Sequence, residues 1–111
     1  MQNLTADDVR VPENLRAQVS IPKSIQELDA ALATNAQRCG PSARLTINPS
    51  DATEAYYIVS MPGLTKASVG LIIDVKQVGS SSTVKGYSYY RTWTRHVEAI
   101  IATMQDPSTC H

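Results

Sequence analysis

The chain has 111 residues, with ten basic and ten acidic side chains, no net charge and a pI near 6.7. That length allows one domain at most, and that balance excludes a nucleic-acid footprint, which needs clustered Lys and Arg. Aromatic residues are five Tyr, one Trp and no Phe, so the core must rest on Ile, Leu, Val and Ala. The longest apolar run falls far short of the roughly 18 residues of a membrane span. Met1-Gln2-Asn3-Leu4-Thr5 has neither the basic nor the apolar region of a signal peptide, so an exported protein would be read here as a mature form with an added Met.

Residues 1–20 are polar, with Asp7-Asp8 and Pro12-Glu13-Asn14, and read as a flexible N-terminal arm. Val9, Val11 and Val19 are enough for a short strand or clamp within it. Residues 21–111 read as a single α+β domain.

The first helix is signalled by Ser24 and Glu27, an S-x-x-E capping box in which each side chain satisfies an orphan backbone N–H. Ile25, Leu28, Leu32, Ala36 and Cys39 fall on one stripe. Gly40 supplies the position after the helix, and Pro41 forbids continuation.

Four extended segments follow. Residues 43–47 alternate and end in the turn cluster Asn48-Pro49-Ser50-Asp51. Glu54 to Met61 carries Tyr56, Tyr57, Ile58 and Val59 and stops at Pro62-Gly63. In Ser68 to Val78, Val69, Leu71, Ile73 and Val75 point one way, while Gly70, Ile72, Asp74 and Lys76 point the other, as in a half-buried antiparallel strand. After the loop Gly79-Ser80-Ser81-Ser82, Thr83 to Tyr90 returns with Val84, Gly86 and Ser88 opposite Lys85, Tyr87 and Tyr89.

The second helix starts near Thr92, its expected N-cap, and carries Trp93, Val97, Ile100, Ile101 and Met104 on one stripe. Asp106-Pro107 ends it. The order is α-β-β-β-β-α: an antiparallel sheet of three to four strands flanked by two helices, most simply a meander with both helices on one face.

Cys39 and Cys110 are the only cysteines. A bridge between them would close a loop of about 70 residues, contributing roughly 4 kcal/mol in the chain-entropy model, and would suit an oxidising compartment. The alternative is two separate buried thiols in a cytosolic protein. The bridge also constrains the fold, because bridged cysteines need Cα atoms within about 7 Å. Four alternating strands put Cys39 and Cys110 at opposite ends. The bridge therefore competes with the plain meander, unless one segment, with 43–48 the candidate, lies outside it or a helix crosses obliquely.

Chemical motifs are few. His96 and His111 have no H-x-x-x-H or H-E-x-x-H partner, so no metal is expected, and no cofactor-binding pattern appears. No G-x-S-x-G elbow exists, and Ser80-Ser81-Ser82 reads as turn chemistry. Cys39 as a nucleophile with His96 as base is outweighed by its place on the apolar stripe. Glu54, Asp74 and Glu98 read as separate, solvated carboxylates, and no catalytic residue is expected. The candidate binding surface is Lys85, Tyr87 and Tyr89 on one face of the last strand, with Tyr56 and Tyr57 from another strand and Arg91 and Arg95 flanking Trp93. Facing away from the helices, these tyrosines would make a basic aromatic patch for a peptide, glycan or protein. Facing inward, they would serve sheet packing.

The helix end Leu28…Asn35-Ala36-x-x-Cys39-Gly40, the middle strands and the Trp93…Cys110 helix with its terminal cysteine resemble the periplasmic domain of small proteobacterial lipoproteins of unknown function, over residues 21–111. The resemblance implies export, lipid anchoring to the envelope and, in some members, recognition by the immune system. The lipidated cysteine is missing from this stretch. The expectation is a non-enzymatic, monomeric cell-envelope domain of the periplasm or outer membrane, structural or surface-binding, with a protein or envelope component as partner. A secreted protein-binding or inhibitory module using the tyrosine face, and a small enzyme with an unrecognised site, are the alternatives.

Overall fold

The computed structural model describes residues 5–41, 43–62 and 67–110. Met1, Gly63 and His111 lie outside the described residues. Five strands form one antiparallel sheet: β1 (Leu15–Ile21), β2 (Thr46–Asn48), β3 (Asp51–Pro62), β4 (Ala67–Val78) and β5 (Ser81–Ser88). Their spatial order is β1-β5-β4-β3-β2. The expected four-strand meander is therefore present, with one strand added at its end.

That added strand corrects the reading of residues 1–20 as a loose arm. β1 pairs with β5 along its length, Val19 opposite Val84 and Ala17 opposite Gly86. The physical reason is burial: Val84 and Gly86 lie at the core, and β1 covers the edge they would otherwise expose. Ala17, Val19 and Ile21 alternate with Arg16, Gln18 and Ser20, a period-2 pattern diluted by small and polar residues.

α2 (Ile25–Cys39) forms as its cap predicts: Ser24 Oγ accepts from the Glu27 N–H at 3.2 Å, and Glu27 Oε1 accepts from the Ser24 N–H at 3.0 Å. Gly40 ends it at φ 102°, a conformation that disfavours any side chain. The buried stripe is Ile25, Leu28, Ala31, Leu32 and Asn35, and Cys39 is exposed rather than apolar-facing. α3 (Thr94–Gln105) buries Val97, Ile100, Ile101, Thr103 and Met104. A 3-10 turn over Arg91–Trp93 precedes it, so Thr92 is not its cap. α2 and α3 share one face of the sheet, and their apolar stripes join Leu71, Ile73, Val75 and Val84 in one core cluster. α3 approaches β5 so closely that a Cβ on Gly86 would run into Val97 Cγ1.

A third helix, α1 (Ala6–Val9), was not foreseen and packs against β4. Val9 and Ile72 are fully buried but lie outside the main cluster. A Thr5–Asp8 capping box starts α1, and the buried Asn14 amide donates to the Val9 carbonyl at 3.1 Å.

The Cys39–Cys110 disulfide is present, with Cα atoms 5.6 Å apart. It coexists with the meander because the chain after α3 doubles back. Lys23 Nζ donates to the Met104 carbonyl at 2.9 Å, which places the end of α3 beside the start of α2. Residues 106–110 then return toward Cys39, and Asn35 Nδ2 donates to the carbonyls of Pro107 (3.1 Å) and Thr109 (3.0 Å). The return is a turn: the Ser108 N–H and hydroxyl donate to Asp106 Oδ1 and the Thr109 hydroxyl to Asp106 Oδ2. The 43–48 segment is thus not outside the meander. It pairs with β3 only from Thr46, because Arg44 and the Leu45 N–H are taken up by Asp29.

Candidate functional site

The face of the sheet away from α2 and α3 carries a groove of about 550 Å³, lined by Tyr56 and Glu54 of β3, Asp74 and Lys76 of β4, and Thr83, Lys85 and Tyr87 of β5. Strand alternation puts them there. Val84 and Gly86 face the core, so Lys85 and Tyr87 must face the other way. Register then lines up Tyr56, Asp74 and Lys85 across three strands.

Arg10, which leads out of α1, forms part of the wall. Its guanidinium grips Asp74 with two hydrogen bonds, Nε at 2.8 Å and Nη2 at 2.9 Å. Asp74 is therefore paired, not simply solvated. The pair stands about one-third exposed and ties α1 to the sheet. At the other side of the groove, Lys76 Nζ donates to Thr53 Oγ1 (3.0 Å), Glu54 Oε1 (3.3 Å) and Asp51 Oδ2 (3.4 Å). Those contacts, Glu54 first, push the Lys76 pKa above its ordinary value. The Thr53 hydroxyl and N–H hold Asp51 below the usual carboxylate range.

Lys85 is the exception. It is exposed, and its ammonium makes no ion pair or hydrogen bond with any described residue. Asp74 lies opposite it across the strands, but Arg10 occupies that carboxylate. Lys85 thus stands uncompensated beside two half-buried rings, Tyr87 on its own strand and Tyr56 on β3. The groove can take an anionic group on the ammonium and an apolar group against the rings.

Of the three residues singled out from sequence, Lys85 and Tyr87 line this groove and Tyr89 does not. Tyr89 lies past the end of β5, about half exposed, its N–H held by the Gly70 carbonyl at 3.0 Å. It meets Tyr90 edge-on at 5.1 Å, and Tyr90 in turn lies 5.1 Å from Trp93. Tyr56 and Tyr57 separate, with Tyr56 in the groove and Tyr57 against the core cluster. Arg10 was missed because nothing in a polar arm marks a partner 64 residues away.

Two further clefts lie on the helix side. One of about 500 Å³ is lined by Val59, Thr92, Trp93, Arg95, His96 and Ala99. The other, about 320 Å³, lies beside the disulfide and shares His96 and Ala99 with the first. Among the described residues, no three His, Cys, Asp or Glu side chains are grouped as a metal centre requires. Cys39 and Cys110 are bonded to each other, so neither is a thiolate nucleophile. No helix among the described residues is long and apolar enough to cross a membrane. No family model and no curated protein sequence matches the chain.

Proposed function

We propose that this chain is a non-enzymatic domain of the bacterial cell envelope, working in the periplasm or at the outer membrane, which holds a protein partner in the groove of its open sheet face. One observation carries the reading: the unpaired Lys85 ammonium beside Tyr56 and Tyr87, in a groove whose other charges are matched. An isolated cation among aromatic rings has the character of an interface hot spot. A partner presenting a carboxylate next to an apolar side chain would satisfy both at once. The disulfide supports export, since such bonds persist in oxidising compartments.

The test immobilises the oxidised chain and measures partner capture from a solubilised envelope fraction, with Lys85→Ala and Tyr87→Ala beside wild type. Each variant should cut capture by roughly tenfold and leave the melting temperature within a few degrees of wild type. Equal capture by all three proteins refutes the groove as the binding site. Unfolding of Tyr87→Ala would make that ring a packing residue, and Lys85→Ala, whose side chain is exposed, then decides the matter alone.

A further inference from the structure

We infer that the unpaired half of β3 is a docking edge for an extended peptide segment of a partner, one carrying a carboxylate. The inference is independent of the groove on the opposite face. β3 runs for twelve residues, but β2 covers it only as far as the pair Thr46–Tyr56. From Tyr57 to Ser60 no described strand lies on the outer side of β3; Ala43 and Leu45 pass near Tyr57 as the chain turns toward Asp29, and the outward backbone groups have no ladder partner among the described residues. Such an edge pairs readily with an added strand.

The surroundings indicate what kind of strand. On the helix side of this half of β3 lies the cleft of about 500 Å³, whose apolar lining is Val59, Trp93 and Ala99 and whose polar lining is Thr92, Arg95 and His96. A strand laid along Tyr57–Ser60 would direct every second side chain toward this cleft. Arg95 sits at the same cleft, exposed, and makes no ion pair or hydrogen bond with any described residue. Glu98, one turn further along α3, does not pair with it, and no carboxylate is among the described residues that line the cleft. The complement is a segment of alternating apolar residues with an acidic side chain toward Arg95. Trp93 is anchored from behind: its ring lies over Gly70, where even a Cβ would come within 2.7 Å of Cζ3. The cleft wall is therefore preformed, which lowers the entropic cost of binding.

The experiment titrates the oxidised chain with three capped peptides, Ac-Glu-Thr-Val-Thr-Val-NH2, the same peptide with Lys for Glu, and Ac-Glu-Pro-Pro-Pro-Pro-NH2. Backbone amide shifts and the fluorescence of Trp93, the sole tryptophan, are followed. The first peptide should shift amides in 57–60 and 93–99 and change the fluorescence. The Lys peptide and the proline peptide, which has no backbone N–H between its Glu and its terminal amide, should each bind roughly tenfold more weakly. Arg95→Glu should weaken the Glu peptide by a similar factor and reverse the preference toward Lys, with the melting temperature unchanged. The inference falls if millimolar Glu peptide gives no shift. It also falls if the proline peptide binds as well, or if the shifts centre on Lys85 and Tyr87.

Discussion

Removing the disulfide with the pair Cys39→Ser and Cys110→Ser tests how this domain is held together. The two cysteines are 71 positions apart. Closing such a loop in the unfolded chain removes about 15 cal/mol/K, or about 4 kcal/mol at 25 °C. Unfolding entropy near 2.1 cal/mol/K per residue sums to about 0.23 kcal/mol/K for a chain of this length. Each kcal/mol therefore moves the midpoint by roughly 4 °C, and the double variant should melt about 17 °C below the oxidised parent. The structure adds a local signature. Without the bridge, Pro107 and Thr109 keep their carbonyl contacts to Asn35, each contributing about 1 kcal/mol. Ordering residues 107–110 costs roughly 1–2 kcal/mol apiece, so this end of the tail should fray. Calorimetry of the parent, the parent with dithiothreitol and the double variant gives the midpoints, and hydrogen exchange reports the tail. The first two should differ as the first and third do. A drop below about 5 °C, or a tail still protected from exchange without the bridge, would refute the view that the bridge constrains the unfolded chain and holds the tail on α2.

Other consequences concern packing, pairing and acid. Gly86→Ala should cost about 1–3 kcal/mol, because the new methyl runs into Val97 Cγ1 and lies 3.2 Å from Ile73 Cδ1. A wild-type thermal melt for that variant would mean that α3 does not seat on β5 as described. Asn35→Ala should cost about 1 kcal/mol by urea denaturation, since it removes a buried amide that donates to two part-buried tail carbonyls; an unchanged midpoint would show that the tail draws nothing from Asn35. The Asp29 carboxyl is held below its ordinary 3.8, chiefly by the Arg44 guanidinium, against partial burial and with help from the Leu45 N–H. Its stabilisation is thus complete above the unfolded value and is lost as pH falls through the lower native one. Asp29→Asn should therefore lower the urea midpoint near neutrality, and the gap to wild type should narrow below pH 3.8; a gap independent of pH counts against it. Amides of β1 that face β5 should exchange slowly, at rates near those of β5 itself, whereas free exchange across 15–21 would return that stretch to a loose arm.

Much of the architecture was open to reading because its signals are local. The Ser24–Glu27 box and the Gly40-Pro41 stop bound α2 to within a residue, since capping is settled inside four residues of chain. The alternation of Lys85 and Tyr87 against Val84 and Gly86 followed from strand geometry alone, but which of the two faces the helices cover was left open until the core cluster placed Val84 under them. Asn35 was hidden for the opposite reason. A polar residue on an apolar helix stripe has no visible purpose until the carbonyls of Pro107 and Thr109 arrive from 72 and 74 residues away.

The division between sequence and tertiary structure follows the range of the forces involved. Helix caps, strand alternation, the α+β order and the Cys39–Cys110 pair are written in residues that act on near neighbours or have only each other to bond. Three features needed the assembled sheet: β1 beside β5, Arg10 on Asp74, and the returning tail that lets the bridge and the meander coexist. Each joins segments more than sixty residues apart through apolar cover or a charge pair, and such contacts exist only once the intervening chain has folded. The groove has the same dual origin. Alternation along β5 turned Lys85 outward, but its lack of a counter-charge was decided when Arg10 took the carboxylate of Asp74.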